Sequence, residues 1–143
     1  VFQEDRLFPS FDALDNIGIY PYPFVKETAL EILKKLELGD VCDRPAAEYS
    51  GGMKRRLAIA RALYGCTALH AHKPDEPLLL IMDEPFKGLD PTLRKKVIDT
   101  VDDIVCRTGS ALILVTHESG EAVALGCEQI ALKPKRRDVN RWH

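Results

Sequence analysis

The chain has 143 residues, 20 Lys plus Arg against 22 Asp plus Glu, and 45% hydrophobic residues. That length suits one compact domain, the composition excludes a disordered or fibrous chain, and the formal net charge of −2 lacks the basic surplus on which nucleic-acid binders rely. The longest strongly apolar run, Leu78–Met82, has five residues, far short of the ~20 that span a bilayer. Cys42, Cys66, Cys106 and Cys127 form no close pair, so neither a C-x-x-C redox motif nor a zinc knuckle is present, and reduced thiols of a cytoplasmic protein are expected. The opening Val1-Phe2-Gln3 carries no Met and no cap or turn signal; it reads as the inside of an element, as in a fragment or a late start.

Pro9 to Pro23 holds three prolines and is expected to be loop with at most a short helix. Residues 25–38 predict an amphipathic helix with Ala29, Leu33 and Leu36 on one stripe, a Glu31–Lys35 pair, and Gly39 at its end. A second helix is expected from Ser50 to about Tyr64, with Met53, Leu57, Ala60 and Leu63 inward and Gly65 closing it. Residues 65–77 then read as a surface connection; His70, His72 and Cys66 within it lack a fourth candidate ligand and predict no metal site. Leu78–Met82 is continuously apolar, the pattern of a strand covered on both faces in a parallel sheet. Asp90-Pro91 is an N-cap followed by an N1 proline; the helix it opens turns Leu93, Val97, Val101 and Ile104 inward and stops near Gly109. Ala111–Val115 is a second apolar strand, followed by a helix over Ser119 to Leu125, a short strand around Gln129 to Leu132 and a basic tail.

This alternation predicts an α/β architecture. Both buried strands finish in titratable residues, Asp83 and Glu84 on one and His117 on the other, and ligands of open parallel sheets sit outside the carboxyl ends of the strands. Ser50-Gly51-Gly52 places a hydroxyl cap and two glycines at a helix start, where backbone N–H groups and the dipole favour an anion. Lys54, Arg55 and Arg56 follow in the first turn, where cations oppose the dipole, an arrangement better explained if something negative docks nearby.

Together these segments resemble the ATP-binding cassette (ABC) transporter ATPases. Residues 49–63 (YSGGMKRRLAIARAL) resemble their signature motif and helix, Leu78–Pro85 the Walker B strand with its trailing glutamate, Gly88-Leu89-Asp90 the D-loop, Thr116-His117 the switch histidine, and Val1-Phe2-Gln3-Glu4-Asp5 the Q-loop, in the family's order. The run through Phe8-Pro9 is closest to the nitrate, sulfonate and taurine importers. The resemblance implies a P-loop NTPase-like parallel core carrying an inserted helical signature subdomain, divided as a Q-loop segment (1–8), a helical subdomain (9–65) and the C-terminal part of the ATPase core (66–143). It also implies ATP and Mg²⁺: Asp83 and Gln3 at the metal, Glu84 as general base, His117 at the γ-phosphate, and Gln3 relaying nucleotide state. Ser50, Gly51 and Gly52 would bind the γ-phosphate of ATP held by an opposite protomer, with Asp90 crossing that interface. The implied partners are a second ATPase protomer in a head-to-tail dimer, transmembrane permease subunits and a substrate-binding protein, and the implied location is the cytoplasmic face of the membrane.

The chain departs from the family in one central respect. A P-loop needs G-x-x-x-x-G-K-[ST], and none of the nine glycines is followed by lysine. These residues alone are therefore expected neither to hold ATP tightly in cis nor to turn it over. Two other readings stay open. A DNA-repair or chromosome ATPase shares the signature and Walker B motifs but inserts long coiled coils before the signature, where this chain has one modest helix and no heptads. A non-catalytic module would only complete a partner's ATP site.

Overall fold

In the computed structural model, which describes residues 1, 2 and 4–130, the proline-containing loop is organised by a single asparagine. Helix α1 (Ala13–Ile17) is capped by the Asp12 carboxylate, which accepts from Asp15 N. Asn16, fully buried, accepts from Phe8 N at 2.8 Å and donates to the carbonyls of Phe8, Phe11 and Asp12. A buried amide so fully satisfied fixes the loop around it.

Helix α2 (Lys26–Lys35) buries Ala29, Ile32 and Leu33. It does not run to Gly39. Glu37 takes the left-handed conformation (φ 55°) and Leu38 N returns to Leu33 O at 2.8 Å, so a non-glycine residue makes the C-terminal turn and Gly39 begins a 3-10 turn over Gly39–Val41. Full burial of both Leu36 and Leu38 accounts for a turn that glutamate would not choose by itself.

Helix α3 (Gly51–His72) starts where expected, with Ser50 Oγ accepting from Met53 N, but its 22 residues run through Gly65. The expected surface connection over 65–77 is therefore helical as far as His72. Gly65 is buried and permits a close approach: an added Cβ would lie 2.5 Å from Tyr20 Cζ.

Strand β1 (Leu79–Asp83), helix α4 (Pro91–Thr108), strand β2 (Ala111–Val115) and helix α5 (Ser119–Ala124) complete the described chain. The strands pair in parallel, Leu79 opposite Ala111 through Asp83 opposite Val115, with α4 as the crossover. Asp90 carboxylate accepts from Thr92 N and Leu93 N to open α4, and Gly109 (φ 62°) ends it. On the other side of β1, Val1 N donates to Ile81 O and Val1 O accepts from Asp83 N, a parallel bridge. Leu80 and Met82 join one core with Leu33, Leu57, Leu63, Val97, Val101 and Ile104. The strands are not covered on both faces: Leu79, Ile81, Ile113 and Val115 are about half exposed, because the packed helices lie against the Leu80–Met82 side. The expected strand at 129–132 is irregular at Gln129 and Ile130 and otherwise lies outside the described residues, as does Gln3.

Candidate functional site

The parallel ladder continues one bond past β1, with Glu84 N donating to Val115 O at 2.8 Å. Glu84 itself adopts φ 46°, a left-handed conformation that costs a non-glycine residue about 1 kcal/mol or more and that clusters at functional sites. The turn places the Glu84 carboxylate against the residue that follows β2 by two positions: Glu84 Oε1 lies 2.7 Å from His117 Nδ1. Glu84 is the more sheltered partner, with 20% of its side chain exposed against 65% for His117. The hydrogen bond to Glu84, and then its charge, raise the His117 pKa above its ordinary 6.5; Glu118 adds to this and Lys87 opposes it. Asp83, the last residue of β1, is half-buried beside them.

A second group forms at the start of α3. Ser50 caps the helix, Gly51 has open space around it, and an added Cβ on Gly52 would come within 3.9 Å of Leu89 Cδ2, next to Asp90. The Asp90 carboxylate is engaged in capping α4. Among the described residues no hydrogen bond links Ser50, Gly51 or Gly52 to Glu84 or His117, so the structure brings the expected residues together as two groups.

The first-turn cations do not behave as the dipole argument expects. Arg55 Nη1 donates to Phe2 O at 2.8 Å and pairs with Asp5, while Arg56 donates to the carbonyls of Leu36 and Glu37. Two of the three cations thus hold segments of the chain itself, and no docked anion is needed to explain them. Arg61 repeats the device, donating to the carbonyls of Asp5 and Arg6, so that α3 clamps the segment after Gln3. Sequence reasoning had no signal for this clamp, because its partners are backbone carbonyls more than fifty positions away.

A family model described as ABC transporter matches residues 1–87, from Val1 through β1 and Glu84. The chain belongs to the ABC transporter family. Among its ABC relatives, the aliphatic sulfonates import ATP-binding protein SsuB of Bacillus subtilis (strain 168) is 37% identical over 144 residues, covering 99% of this chain and 52% of the relative. The Fe(3+) ions import ATP-binding protein FbpC of Brucella melitensis biotype 1 is 37% identical, over 93% of this chain and 36% of its own length. The dimeric structure of MJ0796, a bacterial ABC transporter cassette, superposes with a TM-score of 0.68 at 28% identity, over 87% of this chain and 53% of that one. The same cassette is also known in a dimeric post-hydrolysis state bound to ADP and Pi. The chain spans about half the length of the sulfonate-import relatives it matches. Its fold is that of the ABC cassette, an α/β arrangement on a parallel sheet, and no helix among the described residues is long and apolar enough to cross a membrane.

Proposed function

We propose that this chain is part of the ATP-binding, ATP-hydrolysing subunit of an ABC importer. The observation that carries the reading is the Glu84–His117 contact at the carboxyl end of two parallel strands, made possible by the strained turn at Glu84. Glu84 is the general base: a sheltered carboxylate whose free oxygen can accept a proton from water while His117 holds the other. A raised His117 pKa keeps more of the imidazole cationic, which suits it to face the γ-phosphate. The described residues hold no cluster of three or more ligating side chains. One or two hard carboxylate oxygens with the remaining positions left to water and phosphate is the habit of Mg²⁺, and Asp83 fits it, with Gln3 as the second candidate. When bound, ATP supplies the transferred phosphoryl group and Mg²⁺ neutralises charge developing on it.

In this reading Ser50, Gly51 and Gly52 bind the γ-phosphate of ATP held by an opposite protomer in a head-to-tail dimer. The open space around Gly51 at the start of a 22-residue helix supports that role. Asp90 adjoins the same surface through Leu89 and Gly52. Residues 1–143 contain no G-x-x-x-x-G-K-[ST], so the phosphate-cradling loop has to come from outside them, and these residues alone are inactive. Residues 1–8 form the segment that senses nucleotide, residues 9–65 the helical subdomain and 66–143 the core, with α3 continuous across the second boundary. Permease subunits and a substrate-binding protein complete the importer, and the subunit sits peripherally on the cytoplasmic face of the membrane. ATP-binding proteins of sulfonate and of Fe(3+) import both match at 37% identity, so the transported substrate is left to those partners.

The test is Glu84→Gln in the ATP-hydrolysing assembly. Loss of turnover by about 10²-fold or more with ATP binding intact is the expected result. Turnover at the wild-type rate would overturn the reading in favour of a module that only completes a partner's site.

A further inference from the structure

His117 is held from both sides, and both holds meet at one residue of α4. On its N-terminal side, Thr116 Oγ1 donates to Glu121 Oε2 at 2.6 Å and accepts from Glu118 N at 3.0 Å. On its C-terminal side, Glu118 Oε2 accepts from Arg94 Nη1 at 2.6 Å. Arg94 also lies 3.7 Å from the buried Glu121 carboxylate, and its Nη2 donates to Leu89 O at 3.3 Å. A single guanidinium therefore joins the Gly88–Asp90 turn to both neighbours of the residue that bonds Glu84.

We infer that Arg94 is a positioning residue, which fixes His117 against Glu84 and couples that contact to the Gly88–Asp90 turn. This rests on the proposed hydrolytic role of the Glu84–His117 pair. The physical case is the fork of the guanidinium. It reaches the Leu89 carbonyl in the turn ahead of α4 and two carboxylates, Glu118 just before α5 and Glu121 within it, a geometry that an ammonium does not reproduce. Glu121 is 5% exposed, so its charge depends on Arg94 and Thr116 for compensation, and the loop 116–118 can adopt few other arrangements while both bonds stand. Movement of the turn at Leu89 then shifts Arg94 and, through Glu118, the backbone that carries His117.

The test is a kinetic cycle in the intact ATPase. Arg94→Met is expected to lower kcat about tenfold with KM for ATP unchanged, because a displaced reacting group costs rate and leaves nucleotide binding intact. Arg94→Lys should recover only part of the loss. Glu118→Ala is the second variant; Glu118 is half exposed and its removal leaves Arg94 beside the Glu121 carboxylate, so kcat should fall severalfold with a smaller loss of Tm than in Arg94→Met. In a His117→Ala background, Arg94→Met should cost less than twofold, since its effect runs through His117. Full additivity with His117→Ala, or an unchanged kcat in both Arg94→Met and Glu118→Ala, would overturn the coupling. If His117→Ala itself leaves turnover unchanged, the hydrolytic reading fails first and the positioning role with it.

Discussion

Gly65→Ala separates two accounts of a glycine inside a long helix. As a poor helix former, Gly65 would gain about 1 kcal/mol on becoming Ala. The packing says otherwise. The added Cβ would stand 2.5 Å from Tyr20 Cζ, 2.7 Å from its Oη and 2.9 Å from its Cε1, whereas carbon atoms rest about 3.5–4.0 Å apart. The Tyr20 ring has to retreat by about 1 Å, and such overpacking costs about 1–3 kcal/mol. Net destabilisation of up to about 2 kcal/mol is expected by urea unfolding at constant m-value. In a Tyr20→Ala background the obstruction is gone and Gly65→Ala should turn stabilising by up to about 1 kcal/mol. Stabilisation in the wild-type background would refute the close approach and leave Gly65 as an ordinary helical glycine.

Two further outcomes test the site and its frame. The His117 imidazole, followed by NMR, should titrate above 6.5 and fall back toward it in Glu84→Gln; an unmoved midpoint would deny the contact. Because the folded-state pKa is the higher one, the pair's contribution is fully present below about pH 6.5 and is lost as pH rises through the raised value. Arg56→Met removes charged donors from Leu36 O (2.7 Å) and Glu37 O (3.0 Å) and should cost about 2 kcal/mol in urea unfolding; a loss under about 0.5 kcal/mol would show those bonds to be dispensable.

Local chemistry was legible in the order of residues. Ser50 and Asp90 cap helices because a side-chain oxygen needs only the N–H groups two or three positions on, and both caps form as expected. The inward stripes of α2 and α4 follow from helical period alone; the strands pair in parallel as their continuous apolar runs predict, although only one face of them is buried. Where local preference and packing disagreed, packing prevailed. Gly39 and Gly65 both look like helix stops. Yet α2 ends earlier at a left-handed Glu37, because Leu36 and Leu38 both go inside, and α3 runs on past Gly65, because Tyr20 takes the space a side chain would need.

By itself, then, the sequence determined the type of the main helices and strands, the caps of α3 and α4 and the residues at the strand ends, all of which depend on neighbours a few positions away. Only the tertiary structure decided what those residues face. Glu84 meets His117 across 33 positions, through a backbone conformation that glutamate disfavours, and Arg94 reaches Glu118 across 24. Arg55, Arg56 and Arg61 close on main-chain carbonyls, which every residue carries and no side-chain pattern reveals. Contacts of that range are set by the packing of whole elements, and a one-dimensional pattern records only which side chains are available to make them.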